Sequence, residues 1–208
     1  TTGGEGGMLT TNDPIIWERV WSCKDHGKSW DAVYKQEHLP GFRWLHEYFG
    51  TNARMTEMQA AIGRVQITKM PGWHEARKLN AASILDTCDQ FPALLHVPRP
   101  PDHIEHAWYK CYLFVRPEVL KQGWSRDRIM EAINSRGIPC YSGSCSEVYL
   151  EKAFINAGMS PPQRLPVARE LGETSLMLLV HPTLTTKHIE MTCDAVKKVM
   201  QKATSSGC

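Results

Sequence analysis

From residue 92 onward the sequence alternates between two textures, and that alternation constrains the fold more than any other feature. "HAWYKCYLFVRP" (106–117) and "LMLLV" (176–180) are dense in aromatic, β-branched and other apolar residues and read as strands. "SRDRIMEAINSRG" (125–137) reads as a helix, with Ser125 as its cap and Gly137 as its stop. "IPCY" (138–141) suits a short strand, "SEVYLEKAFINAG" (146–158) has helical spacing, and "PVARELGETSL" (166–176) is a helix feeding the second strand. "LTTKHIEMTCDAVKKVMQKA" (184–203) closes the pattern as an amphipathic helix. Strands alternating with helices pack as an α/β or α+β unit, here with both apolar runs in one sheet.

The first part of the chain is less regular. "MLTT" (8–11) suits a strand. "NDPIIWERVWSCKDHG" (12–27) reads as a helix capped by Asp13, with Pro14 in its first turn, Gly27 as its stop, and Ile16, Val20 and Cys23 on one apolar face. Lys28 to Thr51 has no clean period, and its aromatic patches suit a functional loop or lid. "MTEMQAAIGRVQITKM" (55–70) is a helix capped by Thr56, with Met58, Ala61, Ile62, Val65 and Met70 on one side. Pro71-Gly72 breaks it, and "WHEARKLNAASILDTCDQF" (73–91) follows as a second helix. The domain boundary falls between Phe91 and Pro92.

Bulk composition excludes several classes. A hydrophobic fraction of 42% is that of a globular chain, not a disordered one. A net charge of +2 provides no field for nucleic acid or anionic membrane, and neither is expected as a partner. No apolar run reaches the roughly 18 residues of a membrane span, and no charged stretch followed by an apolar run of the secretory-signal kind occurs within these residues. Nine scattered histidines and seven cysteines without a CxxC pair give no metal site, and reduced cytosolic thiols are expected. "GGEGG" (3–7) alone suits a tight turn with positive φ.

"GTNARMTEMQAAIGRVQ" (50–66) carries more chemistry. It brings the Asn52 amide and the Arg54 guanidinium to a helix N-terminus, which suits either a phosphate or an ordinary capped turn. "TTGGEGGMLTTND" (1–13), "KDHG" (24–27) and this block, in that order, resemble the DegT-like nucleotide-sugar aminotransferases. "RLPVARELGETSLMLLVHPTLT" (164–185) resembles that family's C-terminal segment. The resemblance covers nearly the whole chain. It implies the C-terminal part of a fold type I transferase, α/β in class, that uses pyridoxal 5'-phosphate and works as a homodimer. Residues 1–91 would be the end of the large cofactor-binding domain, including its dimer-facing loop and helix. Residues 92–208 would be a small α/β domain. The implied reaction moves an amino group from an amino-acid donor, glutamate being expected, onto a nucleotide-linked keto-sugar. The product would serve polysaccharide or glycoside assembly in the cytoplasm.

By the same resemblance the Schiff-base lysine is expected upstream of Thr1. No residue here is assigned a catalytic role, Lys24, Lys28 and Lys110 included, and the chain alone should not transaminate. Asn52 is implied to reach across the dimer to the cofactor phosphate, and Arg54 to meet the nucleotide-sugar phosphates. Many family members carry His-Tyr-Pro in a segment that contacts the nucleotide sugar. Here that segment is "PCYSGSCSEVY" (139–149), which puts Tyr141, Ser142 and Ser144 on that wall without the histidine. A sugar dehydratase of the same fold, with histidine for the lysine, is the alternative. A non-catalytic dimerisation or sugar-nucleotide-binding module is another. His26 is expected to cap helix carbonyls, His181 to order a loop after a strand, and Trp108 and Tyr109 to join the core.

Overall fold

The computed structural model of the chain describes residues 2–41 and 43–204. Thr1, behind which the cofactor lysine is expected, lies outside the described residues. So do Phe42 of the aromatic stretch and Cys208. The chain divides into two compact units, Thr1–Met70 and Pro71–Cys208.

In the second unit, strands β1 (Leu95–His96), β2 (Cys111–Val115), β3 (Cys140–Tyr141) and β4 (Ser175–Leu178) form one antiparallel sheet in the order β1-β2-β4-β3. The two apolar runs are therefore neighbours, as their texture requires. Register divides the sheet into two faces. Cys111 pairs with Leu178 and Leu113 with Leu176, all buried. Tyr112 pairs with Met177 and Phe114 with Ser175, on the opposite face. Helices α4 (Arg126–Asn134) and α7 (Thr186–Ala203) close the first face with Ile129, Ile133, Val196, Val199 and Met200. Ser125 caps α4 as read, accepting from the Arg128 N–H, and in α7 Thr185 with His188 completes a capping box. Helix α6 (Pro166–Thr174) leads into β4. The segment 146–158 is not one helix. It is a 3₁₀ turn (Val148–Leu150) and a five-residue helix α5 (Lys152–Asn156), separated by the extended Glu151.

Three expectations fail in the first part of the chain. Residues 8–11 form no strand, because no described segment offers them a ladder partner. Helix α1 (Pro14–Lys24) is capped by Asp13 as expected, but Ile16 and Cys23 are exposed. Its packed side carries Trp17 and Trp21, which meet Trp30 edge-on at centroid distances of 5.2 and 5.0 Å. Trp30 belongs to helix α2 (Trp30–Tyr34), which gives the 28–51 stretch its one helical turn among the described residues. The third failure is the break at Pro71. Helix α3 runs without interruption from Glu57 to Cys88. Proline inside a helix costs about 3 kcal/mol. Burial of Ile84 and Leu85 further along offsets this at about 1.5–3 kcal/mol each. The residues around Pro71 are exposed, so water can serve the carbonyl its ring displaces. By compactness the chain divides between Met70 and Pro71, two residues that both lie within α3. Ala81, Ile84, Leu85 and Cys88 belong to the core under the sheet. Trp108 packs against this core, but Tyr109 is 76% exposed because the chain turns out there before β2 begins.

Ile84 is fully buried, so Ile84→Ala is expected to lower stability by about 2–5 kcal/mol. Urea unfolding of the variant checks this, read as a fall in midpoint at constant slope.

Candidate functional site

Asn52 and Arg54 are placed by a backbone contact with no room for side chains. After α1 the chain turns through His26 (φ 62°) and Gly27 (φ 85°), and the Gly27 N–H donates to the Ser22 carbonyl at 2.8 Å. A Cβ at Gly27 would stand 1.7 Å from the Tyr48 carbonyl oxygen, and one at Gly50 would stand 2.3 Å from the Gly27 nitrogen. Both glycines are thus obligatory here. Three further bonds lock the segments: His26 N–H to Thr51 O (3.1 Å), Thr51 N–H to Cys23 O (2.8 Å) and Ala53 N–H to Lys24 O (3.0 Å). The cap expected of the His26 ring is supplied by backbone N–H groups. The helix-end carbonyls are reached by Asp25 and Gly27, while His26 supplies the left-handed turn.

The lock sets Asp25 opposite Asn52 in an isolated antiparallel bridge. Asp25 is buried, and its carboxylate meets Lys28 Nζ at 3.4 Å and Arg54 Nη1 at 3.3 Å. Burial raises the carboxyl's pKa, but Lys28 and Arg54 outweigh it and hold Asp25 below its usual range. Two cations against one carboxylate leave a net positive charge. Arg54 Nε donates to Asn52 Oδ1 at 3.1 Å. Since Nε is only a donor, the amide must face it with oxygen. Asn52 Nδ2 then points away with two N–H groups, which meet no acceptor among the described residues. Exposed amide donors, an exposed guanidinium and net positive charge fit a phosphate group.

Helix α3 begins beside this turn with a capping box. The Thr56 N–H donates to Gln59 Oε1 (3.1 Å), and the Gln59 N–H donates to Thr56 Oγ1 (3.3 Å). Gln59 Nε2 also donates to the Glu5 carbonyl at 2.8 Å. The glycine run therefore lies along α3. Gly4 has the expected positive φ of 89°, whereas at Gly3 a Cβ would come within 3.0 Å of the Gln59 carbonyl. Close approach explains Gly3 better than turn conformation does.

Tyr141, Ser142 and Ser144 lie in the second unit. Tyr141 pairs with Met177 on the sheet face away from the core and is half exposed. The loop that follows is fastened from the same face. Ser175 Oγ donates to the Ser142 carbonyl (2.6 Å), and the Ser144 N–H donates to Tyr112 Oη (3.1 Å). Beyond it, Arg164 bonds both oxygens of Glu147, and Tyr149 Oη donates to Glu147 Oε1 at 2.6 Å. Bonds from Arg164 and then Tyr149 hold the Glu147 carboxyl down to about 2, against desolvation. Sequence reading missed Tyr112, Ser175, Glu147 and Arg164. Only Tyr112 carried a signal, since strict alternation puts it on the face opposite Cys111 and Leu113. His181 does order its turn: its Nδ1 meets Thr183 Oγ1 at 2.8 Å, and its carbonyl accepts from Leu184. Burial pushes the Cys111 and Cys140 thiols up to about 12, so neither is a nucleophile.

The sequence profile described as the DegT/DnrJ/EryC1/StrS aminotransferase family matches residues 1–197. A dTDP-3-amino-3,4,6-trideoxy-alpha-D-glucose transaminase of Streptomyces venezuelae is 29% identical over 94% of this chain and 46% of its own length. Among solved structures, an aminotransferase from Psychrobacter cryohalolentis is 54% identical, with a TM-score of 0.88, over 93% of this chain and 51% of that one. S. venezuelae DesV, solved in complex with a ketimine intermediate, is 26% identical with a TM-score of 0.74, over 92% of this chain and 46% of its own. The chain spans about half the length of the curated relatives it matches.

The Glu147 lock has a pH signature. Its carboxyl titrates at about 2 when folded and near 4.5 otherwise, so the stability it contributes is complete above about pH 4.5 and is lost as pH falls towards 2. Denaturant midpoints of the protein and of Glu147→Gln should differ by a constant amount above pH 5 and converge between pH 4.5 and 2. A pH-independent difference would refute the lock.

Proposed function

Because the chain belongs to the DegT/DnrJ/EryC1/StrS aminotransferase family, whose members use pyridoxal phosphate, we propose that it is the C-terminal part of an enzyme aminating a nucleotide-linked keto-sugar. Residues 1–91 would complete the large domain and 92–208 form the small one. The enzyme would work as a cytoplasmic homodimer with an amino-acid donor, in polysaccharide or glycoside assembly. The name of the S. venezuelae relative supports a sugar nucleotide as substrate.

The observation that carries this reading is the Asn52–Arg54 pair. Pyridoxal phosphate, when bound, supplies the electron sink for amino transfer. Asn52 would hold its phosphate with the two N–H groups that Arg54 turns outward. Arg54, already fixed by Asp25, would offer its remaining N–H donors to the substrate phosphates. Tyr141, Ser142 and Ser144 would line the sugar side. The residues present bind and orient; the chemistry needs the lysine expected before Thr1, so the 208-residue chain alone should not transaminate. Met58, Ile62 and Val65, all at least half exposed on α3, would be covered in the dimer.

In the full-length protein, Asn52→Ala removes a charge-assisted hydrogen bond and should weaken pyridoxal phosphate affinity roughly ten- to hundred-fold. Arg54→Ala should raise the KM for the nucleotide sugar, with a smaller effect on cofactor retention than Asn52→Ala has. A mixed dimer of a lysine-dead subunit and an Asn52→Ala subunit should keep one working site. Cofactor titration and steady-state kinetics test all three. Unchanged binding in both single variants would reduce residues 50–54 to a capped turn.

A further inference from the structure

The loop from Ser142 to Ser146 is immobilised from below by side chains that no substrate would reach first. Tyr112 stands on β2 and Ser175 on β4, and the register puts both on the face away from the core. Tyr112 Oη accepts from the Ser144 N–H at 3.1 Å and lies 3.2 Å from Ser144 Oγ. A phenol has one proton. Either hydroxyl can donate across this contact, and in both cases Ser144 Oγ keeps hydrogen-bonding capacity for a ligand. Among the described residues Ser144 Oγ has no other partner, and Ser144 is exposed. The ring also shapes the backbone. Gly143 has φ 90°, and a Cβ there would stand 2.4 Å from Tyr112 Cε1. Only glycine lets the loop lie on the ring, and the ring in turn fixes the height of Ser144.

The cavity beside this loop has a volume of about 540 Å³ and is lined by Ser142, Ser144, Ser146, Glu147, Glu173 and Arg164, among others. Its carboxylates outnumber its guanidinium, and Arg164 is engaged by Glu147 and Glu173. Phosphate would be repelled there, while hydroxyl or amide groups of an uncharged sugar could exchange hydrogen bonds with the serines.

We infer that Tyr112 is a positioning residue for sugar recognition: through Ser144 it sets the hydrogen-bonding wall that meets the uncharged part of a nucleotide sugar. This rests on the substrate-wall reading of Ser144 given above, and it assigns Tyr112 no contact with phosphate or cofactor.

The test uses the full-length protein loaded with pyridoxal phosphate. Calorimetric titration with dTDP-glucose and UDP-N-acetylglucosamine, against bare dTDP and UDP, gives the gain in affinity due to the sugar. Tyr112→Phe keeps the ring under Gly143 and deletes the hydroxyl. It should cut that gain about two- to tenfold, the worth of one hydrogen bond, and leave dTDP and UDP affinity unchanged. Ser144→Ala should cut it similarly, and the double variant should be no worse than Ser144→Ala alone, because Tyr112 acts through Ser144. Arg54→Ala should instead weaken the bare diphosphates. An unchanged sugar gain in Tyr112→Phe, or additive losses in the double variant, would overturn the inference while leaving the Arg54 reading intact. Equal loss of bare diphosphate and cofactor in Tyr112→Phe would make the residue merely structural and overturn it too. If no probe gains from its sugar, the wall itself is wrong; if Arg54→Ala leaves dTDP and UDP unaffected, the phosphate reading fails separately.

Discussion

The pairing of β2 with β4 organises the second unit. Cys111 opposite Leu178 and Leu113 opposite Leu176 bury one face against α4, α7 and the end of α3. A one-residue slip would exchange the faces, sending Tyr112 and Phe114 into the core and the buried residues out. Register is therefore held by the hydrophobic effect. What the burial leaves over on the other face, Tyr112, Tyr141, Ser175 and Met177, becomes the floor on which the serine loop rests. A polar wall is built from the residues the core cannot use.

The first unit solves its problem with backbone. Its buried apolar side chains are few, Ala32 and Leu45 among them. Gly27 and Gly50 bring two chain segments together at a separation that any side chain would forbid. Hydrogen bonds then close the contact on both sides, and the aromatic group of Trp17, Trp21, Trp30 and Tyr34 ties α1 to α2. In such a frame the candidate site's side chains are fixed by charge and hydrogen bonding: Asp25 holds Arg54, and Arg54 orients the Asn52 amide. The expected core face of Ile16 and Cys23 stays outside this arrangement, as does most of the apolar side of α3 before Pro71.

The two solutions differ in what a substitution can disturb. A truncation in the sheet core removes stability and leaves the site's chemistry in place. A Cβ at Gly27 or Gly50 removes geometry directly, since backbone atoms have nowhere to retreat. "KDHG" and "GTNAR", distant in sequence, are thus the two halves of a single backbone contact.

The sequence by itself determined the elements whose signals are local. Asp13, Thr56 and Ser125 cap helices because a side-chain oxygen two or three residues from an unpaired N–H needs no tertiary help. The strand runs around Leu113 and Leu176 follow from apolar texture, and the order of "EGG", "HG" and "GTNARMTEMQAA" carried the family. Tertiary structure alone decided the rest. Pro71 stays within a helix because water and distant burial offset its cost, and neither is visible at positions 67–72. Residues 8–11 lack a strand because a strand needs a partner that propensity cannot supply. Glu147 meets Arg164, and Tyr112 meets Ser144, across separations of 17 and 32 residues that no period encodes. Such pairs exist only once the sheet's register and the loop's glycine have brought them together, because hydrogen bonds act over a few ångströms of space and not along the chain.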